Sequence, residues 1–197
     1  MALPNIGLIG KLRSGKSAAG DYLSSKYGYT QFAFGDELKR DFHRRYPEIL
    51  RDPKPRAGYQ FHGQFMREHY GANVWVDACF KNIADAANSA DLSDTFMGAE
   101  ESSFRAVVTD VRQESEYTAL QSAGYVLIRV DAPDALRIER AVNSGDTFAY
   151  ADLMHGTETA LDGYAADFTV VNAAGLDELY AQIDEIMESL RSSREAA

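Results

Sequence analysis

NIGLIGKLRSGKSAAGDYL, residues 5–23, passes from a short apolar run through a glycine-bounded turn into a helical pattern. Within it, Gly10-Lys11-Leu12-Arg13-Ser14-Gly15-Lys16-Ser17 matches G-x-x-x-x-G-K-[ST] in full. Gly10 and Gly15 let the backbone turn so that successive N–H groups face inward as an anion nest. A helix opening near Lys16 adds its positive end at the same point. Residues Gly10, Arg13, Ser14, Gly15, Lys16 and Ser17 are therefore candidates to hold a nucleoside triphosphate. Lys16 would bridge its β- and γ-phosphates and the Ser17 hydroxyl would join the shell of a Mg²⁺ ion. Strand before and helix after is the setting this chemistry requires. An exposed loop position costs little stability when altered, so Lys16→Ala is expected to remove phosphoryl transfer and leave the fold intact.

Outward from this stretch, strand-like runs alternate with helical ones. Tyr29–Phe34, Arg105–Thr109, Tyr125–Val130 and Asp167–Val171 read as further strands after Asn5–Ile9. Helical patterns cover Ser17–Tyr27, Gly35 to about Tyr46, about Phe65–Gly71, Val74–Asn88, a segment from Pro133, and a closing amphipathic stretch from Leu176 to Leu190. Strands separated by helix-length segments predict an α/β fold, a parallel sheet with helices on both faces. Residues 1–197 form one domain with two excursions. An acceptor-binding insert covers about 36–90, including a loop around Pro47, Pro53 and Pro55, and a cover or lid segment covers about 137–158. Residues 90–103 read as a polar connection.

The chain has 197 residues, with 20 Lys+Arg against 30 Asp+Glu and a formal net charge of −10. Such a balance opposes wrapping a nucleic-acid polymer but allows a small anion held by local cations. The lone cysteine, Cys79, excludes an intrachain disulfide and suits a reducing, cytoplasmic setting. It lacks metal-ligand spacing with the four histidines. No apolar run reaches the ~18 residues of a membrane span, and no secretory signal pattern opens the chain.

Other candidates sit where open α/β sheets bind ligands, at strand carboxyl ends. Asp110, after the third strand, either supports Mg²⁺ or caps a helix, and Arg112 could face the same crevice. Asp36 either acts on an acceptor group or caps its own helix, with Lys39 one turn on. Arg67 is a candidate for an acceptor phosphate. Arg137 and Arg140 share a helix face and could close over transferring phosphates, or simply complement a helix end.

Taken together, these segments resemble the bacteriophage-type deoxynucleoside monophosphate kinases, within the adenylate-kinase-like P-loop kinases that also include dephospho-coenzyme A kinases. The likeness rests on GLIGKLRSGKSAAGDYL, QFAFGDELKRDF, QFMREHYGANVWVDACF, VVTDVRQESEYTALQSAGYVLIRVDAP and HGTETALDGYAADFTVVNAAGLDELYAQI, in that order. It implies a three-layer α/β/α fold with a five-stranded parallel sheet of order 2-3-1-4-5. It also implies ATP and Mg²⁺ at residues 10–17, and transfer of the γ-phosphoryl group to a deoxynucleoside 5′-monophosphate. By the same resemblance Asp36 and Arg67 belong to the acceptor, Asp110 and Arg112 lie between the two nucleotides, Arg137 and Arg140 serve the lid, and Asn172 approaches the donor base; Lys39 and Arg112 are further candidates to bind the acceptor. A dephospho-coenzyme A kinase and an ATP-governed binding module are the alternative readings. Nucleotides are the expected partners; a homodimer is left open. Gln113-Glu114-Ser115 departs from the more apolar or proline-containing turn expected after Arg112.

Overall fold

A computed structural model describes residues 3–97, 104–143 and 160–195. Five strands, β1 (Ile6–Ile9), β2 (Thr30–Phe32), β3 (Ala106–Val111), β4 (Val126–Asp131) and β5 (Phe168–Val171), form one sheet in the order β2-β3-β1-β4-β5. Every pairing is parallel. The helices are α1 (Lys16–Tyr27), α2 (Phe34–Arg45), α3 (Arg56–Tyr70), α4 (Val74–Phe96), α5 (Glu114–Ser122), α6 (Asp134–Asn143) and α7 (Leu176–Glu195).

Both faces of the sheet are buried, so its strands are nearly continuous apolar runs. Side chains still alternate with period two. Ile6, Leu8, Val107, Ile128 and Val130 pack with Leu23 of α1 and Leu179 and Ile183 of α7. Ile9, Val108 and Leu127 face the other way, onto Val76, Cys79 and Ile83 of α4 and Leu120 of α5. The result is α1/α7, sheet, α4/α5: three layers with two cores. Cys79 is fully buried, and burial pushes its thiol up to about 12, the state of an inert packing residue.

Three of the boundaries that differ from the sequence expectation do so for a plain physical reason. The third helix starts at Arg56, not near Phe65, because α3 packs lengthwise on α2 through an aromatic cluster built on Phe42. His62 Nε2–H donates to Asp41 Oδ2 at 2.8 Å, and His43 Nε2 lies 2.7 Å from the Tyr59 hydroxyl. The loop around Pro47, Pro53 and Pro55 is correspondingly short. Helix α4 runs on to Phe96 through the alanine-rich Ala84–Ala90, whose intrinsic helix preference carries it beyond its buried face. Strand β3 extends to Val111, so Asp110 is the next-to-last residue of the strand and does not follow it. The lid reading of 137–158 falls largely on residues outside those described; only its start, in α6, is seen.

Candidate active site

The phosphate loop leaves the carboxyl end of β1, the central strand, between β3 and β4. Gly10 has φ +143° and Gly15 has φ +115°. A Cβ at Gly10 would lie 2.2 Å from the Val130 carbonyl oxygen, and one at Gly15 would lie 2.2 Å from Asn172 Nδ2. Both conformation and space therefore require glycine.

A nest of inward N–H groups needs its carbonyls turned outward, and here five consecutive carbonyls each meet a side-chain donor. Lys16 Nζ donates to Gly10 O at 2.5 Å and Lys11 O at 2.8 Å. Arg137 Nε donates to Leu12 O at 2.8 Å. Arg140 Nη1 donates to Arg13 O at 3.4 Å, and Asn172 Nδ2 donates to Ser14 O at 2.9 Å. Arg140 Nη2 also donates to Asn172 Oδ1 at 3.1 Å, tying the collar together. Lys16, Arg137 and Asn172 are buried, so these bonds form in a low dielectric where a missing donor is costly.

This geometry corrects two expectations. Lys16 is only 7% exposed and anchors the loop, so removing it costs stability, contrary to the expectation that the fold is left intact. Arg137 does not line the cavity. It lies behind the loop, 4% exposed, between Leu12 O and Asp134 Oδ1 at 2.5 Å, rather than over the phosphates. Asn172 also holds the loop, through Ser14 O, and unlike Arg137 it lines the cavity.

In front of the loop opens one cavity of about 1240 Å³. Lys16, Ser17 and Arg140 line one end. Lys39 of α2, Arg56 and Arg67 of α3, and Arg112 beyond β3 line the other. Asp36 also faces it, in an exposed ion pair with Lys39 at 2.7 Å. Asp36 does not use its carboxylate to cap its own helix. Asp110 performs that task from the neighbouring strand β3: its two oxygens accept the N–H groups of Phe34 and Gly35, each at 2.8 Å. Burial raises the Asp110 pKa, and those two amides oppose the rise. Arg67 makes no hydrogen bond through its guanidinium among the described residues, and burial lowers its pKa. It is a half-buried cation on the cavity wall.

The described residues hold no group of three or more His, Cys, Asp or Glu fit for a metal ion. Mg²⁺ needs no such cage; one or two oxygens from the protein with substrate phosphates and water suffice. The Ser17 hydroxyl and the Asp110 carboxylate, lining the same cavity, fit that demand.

Sequence reasoning passed over Glu116, Lys54 and Arg56, all on the cavity wall; Trp75, which the sequence offers either for stacking on a base or for the core, is buried and lines the same wall. Glu116 Oε2 accepts the N–H of Arg112 at 2.8 Å and of Gln113 at 3.0 Å. Glu116 thus stabilises the start of α5, where Gln113-Glu114-Ser115 departs from the expected turn. The spacing of Gln113 and Glu116 ahead of an apolar run was the available signal. Lys54 and Arg56 fell within the proline-rich stretch, whose placement depends on α3 docking to α2.

No protein-family model matches the chain. Over 198 aligned residues, 90% of this chain and 93% of the relative, it is 26% identical to a protein of Acanthamoeba polyphaga mimivirus described as "Putative deoxynucleotide monophosphate kinase". Among solved structures, shikimate kinase from Aquifex aeolicus superposes with a TM-score of 0.51 at 18% identity, over 98% of this chain and 99% of that one. Shikimate kinase from Acinetobacter baumannii gives 0.52 at 15% identity, over 95% and 94%. A gluconokinase from Sinorhizobium meliloti gives 0.50 at 17%, over 98% and 99%. With the 2-3-1-4-5 parallel sheet and the glycine-bounded loop after β1, these likenesses establish the fold: this chain has the α/β fold of the P-loop kinases.

Proposed function

We propose that this chain is a phosphotransferase that moves the γ-phosphoryl group of ATP onto the 5′-phosphate of a deoxynucleoside monophosphate. One observation carries the reading: a single continuous cavity has the phosphate loop at one end and Lys39, Arg56, Arg67 and Arg112 at the other. Two anion-holding ends facing one space suit the alignment of two phosphorylated ligands. The mimivirus relative's description supports nucleotide monophosphates as the acceptor class.

In this reading the loop amides and the end of α1 bind the donor's phosphates. Lys16 exchanges its bonds to Gly10 O and Lys11 O for phosphate oxygens and spreads charge as the phosphoryl group moves. Arg137, Arg140 and Asn172 keep the carbonyls turned away so that the nest stays open to the anion. Ser17 and Asp110 would hold Mg²⁺, which would supply charge neutralisation at the phosphates. Arg67 and Arg112 hold the acceptor phosphate in line, and Asp36 lies near enough to the cavity to orient it. No covalent enzyme intermediate is required.

The test is ADP formation from MgATP, alone and with a panel of deoxynucleoside monophosphates, ribonucleoside monophosphates and dephospho-coenzyme A. Stimulation by one or more deoxynucleoside monophosphates, well above the ATP-only rate, is the expected result. Stimulation by dephospho-coenzyme A alone, or tight ATP binding with no stimulated turnover, overturns it.

A further inference from the structure

Glu116 is 6% exposed, yet it lies on the cavity wall with Arg67, Gln64 and Trp75. Its two oxygens differ. Oε2 is committed to the amides of Arg112 and Gln113, whereas among the described residues nothing donates to Oε1. Its charge is felt by Arg67, but the two form no ion pair. Oε1 receives no donor from the described residues and belongs to a side chain that lines the cavity, so it is open to a donor supplied by a ligand. The cations around it serve the acceptor's phosphate; an N–H group serves Glu116.

Building on the function proposed above, we infer that Glu116 is the specificity-determining residue of the acceptor site, with Oε1 accepting a hydrogen bond from an exocyclic amino group of the base. Deoxynucleotides with an amino group on the base edge, such as dCMP and dAMP, are then preferred over their oxo counterparts dUMP and dIMP. An oxo group would set one acceptor against another and leave both unpaired. Burial, with Asp110's charge adding to it, pushes the carboxyl up to about 7, so the discriminating carboxylate form dominates at pH 8.

The substitution Glu116→Gln isolates this role. A glutamine can accept the Arg112 and Gln113 amides only through its oxygen, so its NH₂ takes the place of Oε1 and the wall changes from acceptor to donor. At pH 8, kcat/KM for dCMP over dUMP and for dAMP over dIMP is expected to exceed about tenfold in the parent in at least one pair. In the variant that ratio falls to near one or inverts, while ATP affinity stays the same and reports an intact fold. Equal use of both members of each pair by the parent, or a uniform loss in the variant with the ratio kept, overturns the inference and leaves the kinase reading standing. No turnover of any monophosphate by the parent overturns both.

Discussion

The two ends of the cavity are built on different principles. At the proposed donor end, eight consecutive residues present backbone, and their geometry is set by two glycines and a collar of side chains behind them. At the acceptor end the backbone stays in helices and the work falls to side chains from α2, α3 and the start of α5. The difference teaches where each site's specificity resides. Amides read phosphate, which every nucleoside triphosphate carries; a carboxylate and guanidinium groups on helices can read what distinguishes one acceptor from another. The donor end should therefore fail abruptly when its anchor is lost, and the acceptor end should change preference in degrees.

The largest effect is expected at Lys16. Lys16→Ala removes the cation proposed to meet the transferring phosphoryl group and is predicted to lower kcat by about 10³-fold or more. It also leaves Gly10 O and Lys11 O without their buried donor, a stability cost of about 1–3 kcal/mol that thermal unfolding would register. A variant with unchanged turnover would end the comparison, because the donor end would then not be at the loop.

Next in size is a pH effect confined to the acceptor side. The Glu116 carboxyl titrates near 7 in the fold, above the ordinary 4.5 of an unfolded chain. The folded protein therefore holds this proton more tightly. The resulting stability is full below pH 4.5 and is lost as pH rises through 7, a total of about 3 kcal/mol. Glu116→Gln has no such proton to lose. Unfolding curves of parent and variant should differ little in slope with pH below 4.5, and the variant should gain on the parent between pH 4.5 and 8. Parallel curves across that window would mean that the carboxyl is solvated.

Arg137 sharpens the distinction between touching a ligand and shaping what does. Arg137→Ala should lower kcat about 10–100-fold and weaken ATP binding, because Leu12 O loses its donor and can turn into the nest. A purely structural role would move the melting temperature alone. Arg137→Lys, which can still reach a carbonyl, should recover part of both kinetic losses.

Legibility in the sequence follows the same division. Gly10, Gly15, Lys16 and Ser17 announce themselves because a contiguous backbone site leaves a contiguous pattern. The alternation of apolar runs made the α/β architecture readable, since strands buried on both faces must be apolar throughout. The sheet order was not in the spacing; it came with the family resemblance. Nor could spacing assign the collar: Arg137 and Asn172 reach Leu12 and Ser14 from more than a hundred positions away, and only the parallel packing of β1 beside β4 brings them there. Asp110 looked like a residue following a strand because Val111 and the last turn of the ladder depend on pairing with Ile9. Glu116 carried a faint capping pattern, but its second oxygen became meaningful only once the wall of α3 stood opposite.

The smallest predicted change is at Arg67, and it tests the division between the two ends most directly. Its guanidinium has lost water to burial without gaining a partner among the described residues, so the charge is held ready at a cost. A phosphate monoester would relieve that cost through charge-assisted hydrogen bonds. Arg67→Ala should therefore raise the acceptor's KM by about tenfold, since the charge–phosphate bond lost is offset in part by the penalty that disappears with the cation. ATP affinity, measured without acceptor, should stay within about twofold, because none of the donor collar's bonds involves α3. Lysine at this position keeps the charge but not the fork, and should recover only part of the acceptor affinity. Equal losses for donor and acceptor would show that α3 communicates with the phosphate loop. The two ends would then be one site that cannot be altered piecemeal, and the contrast drawn between them would have to be given up.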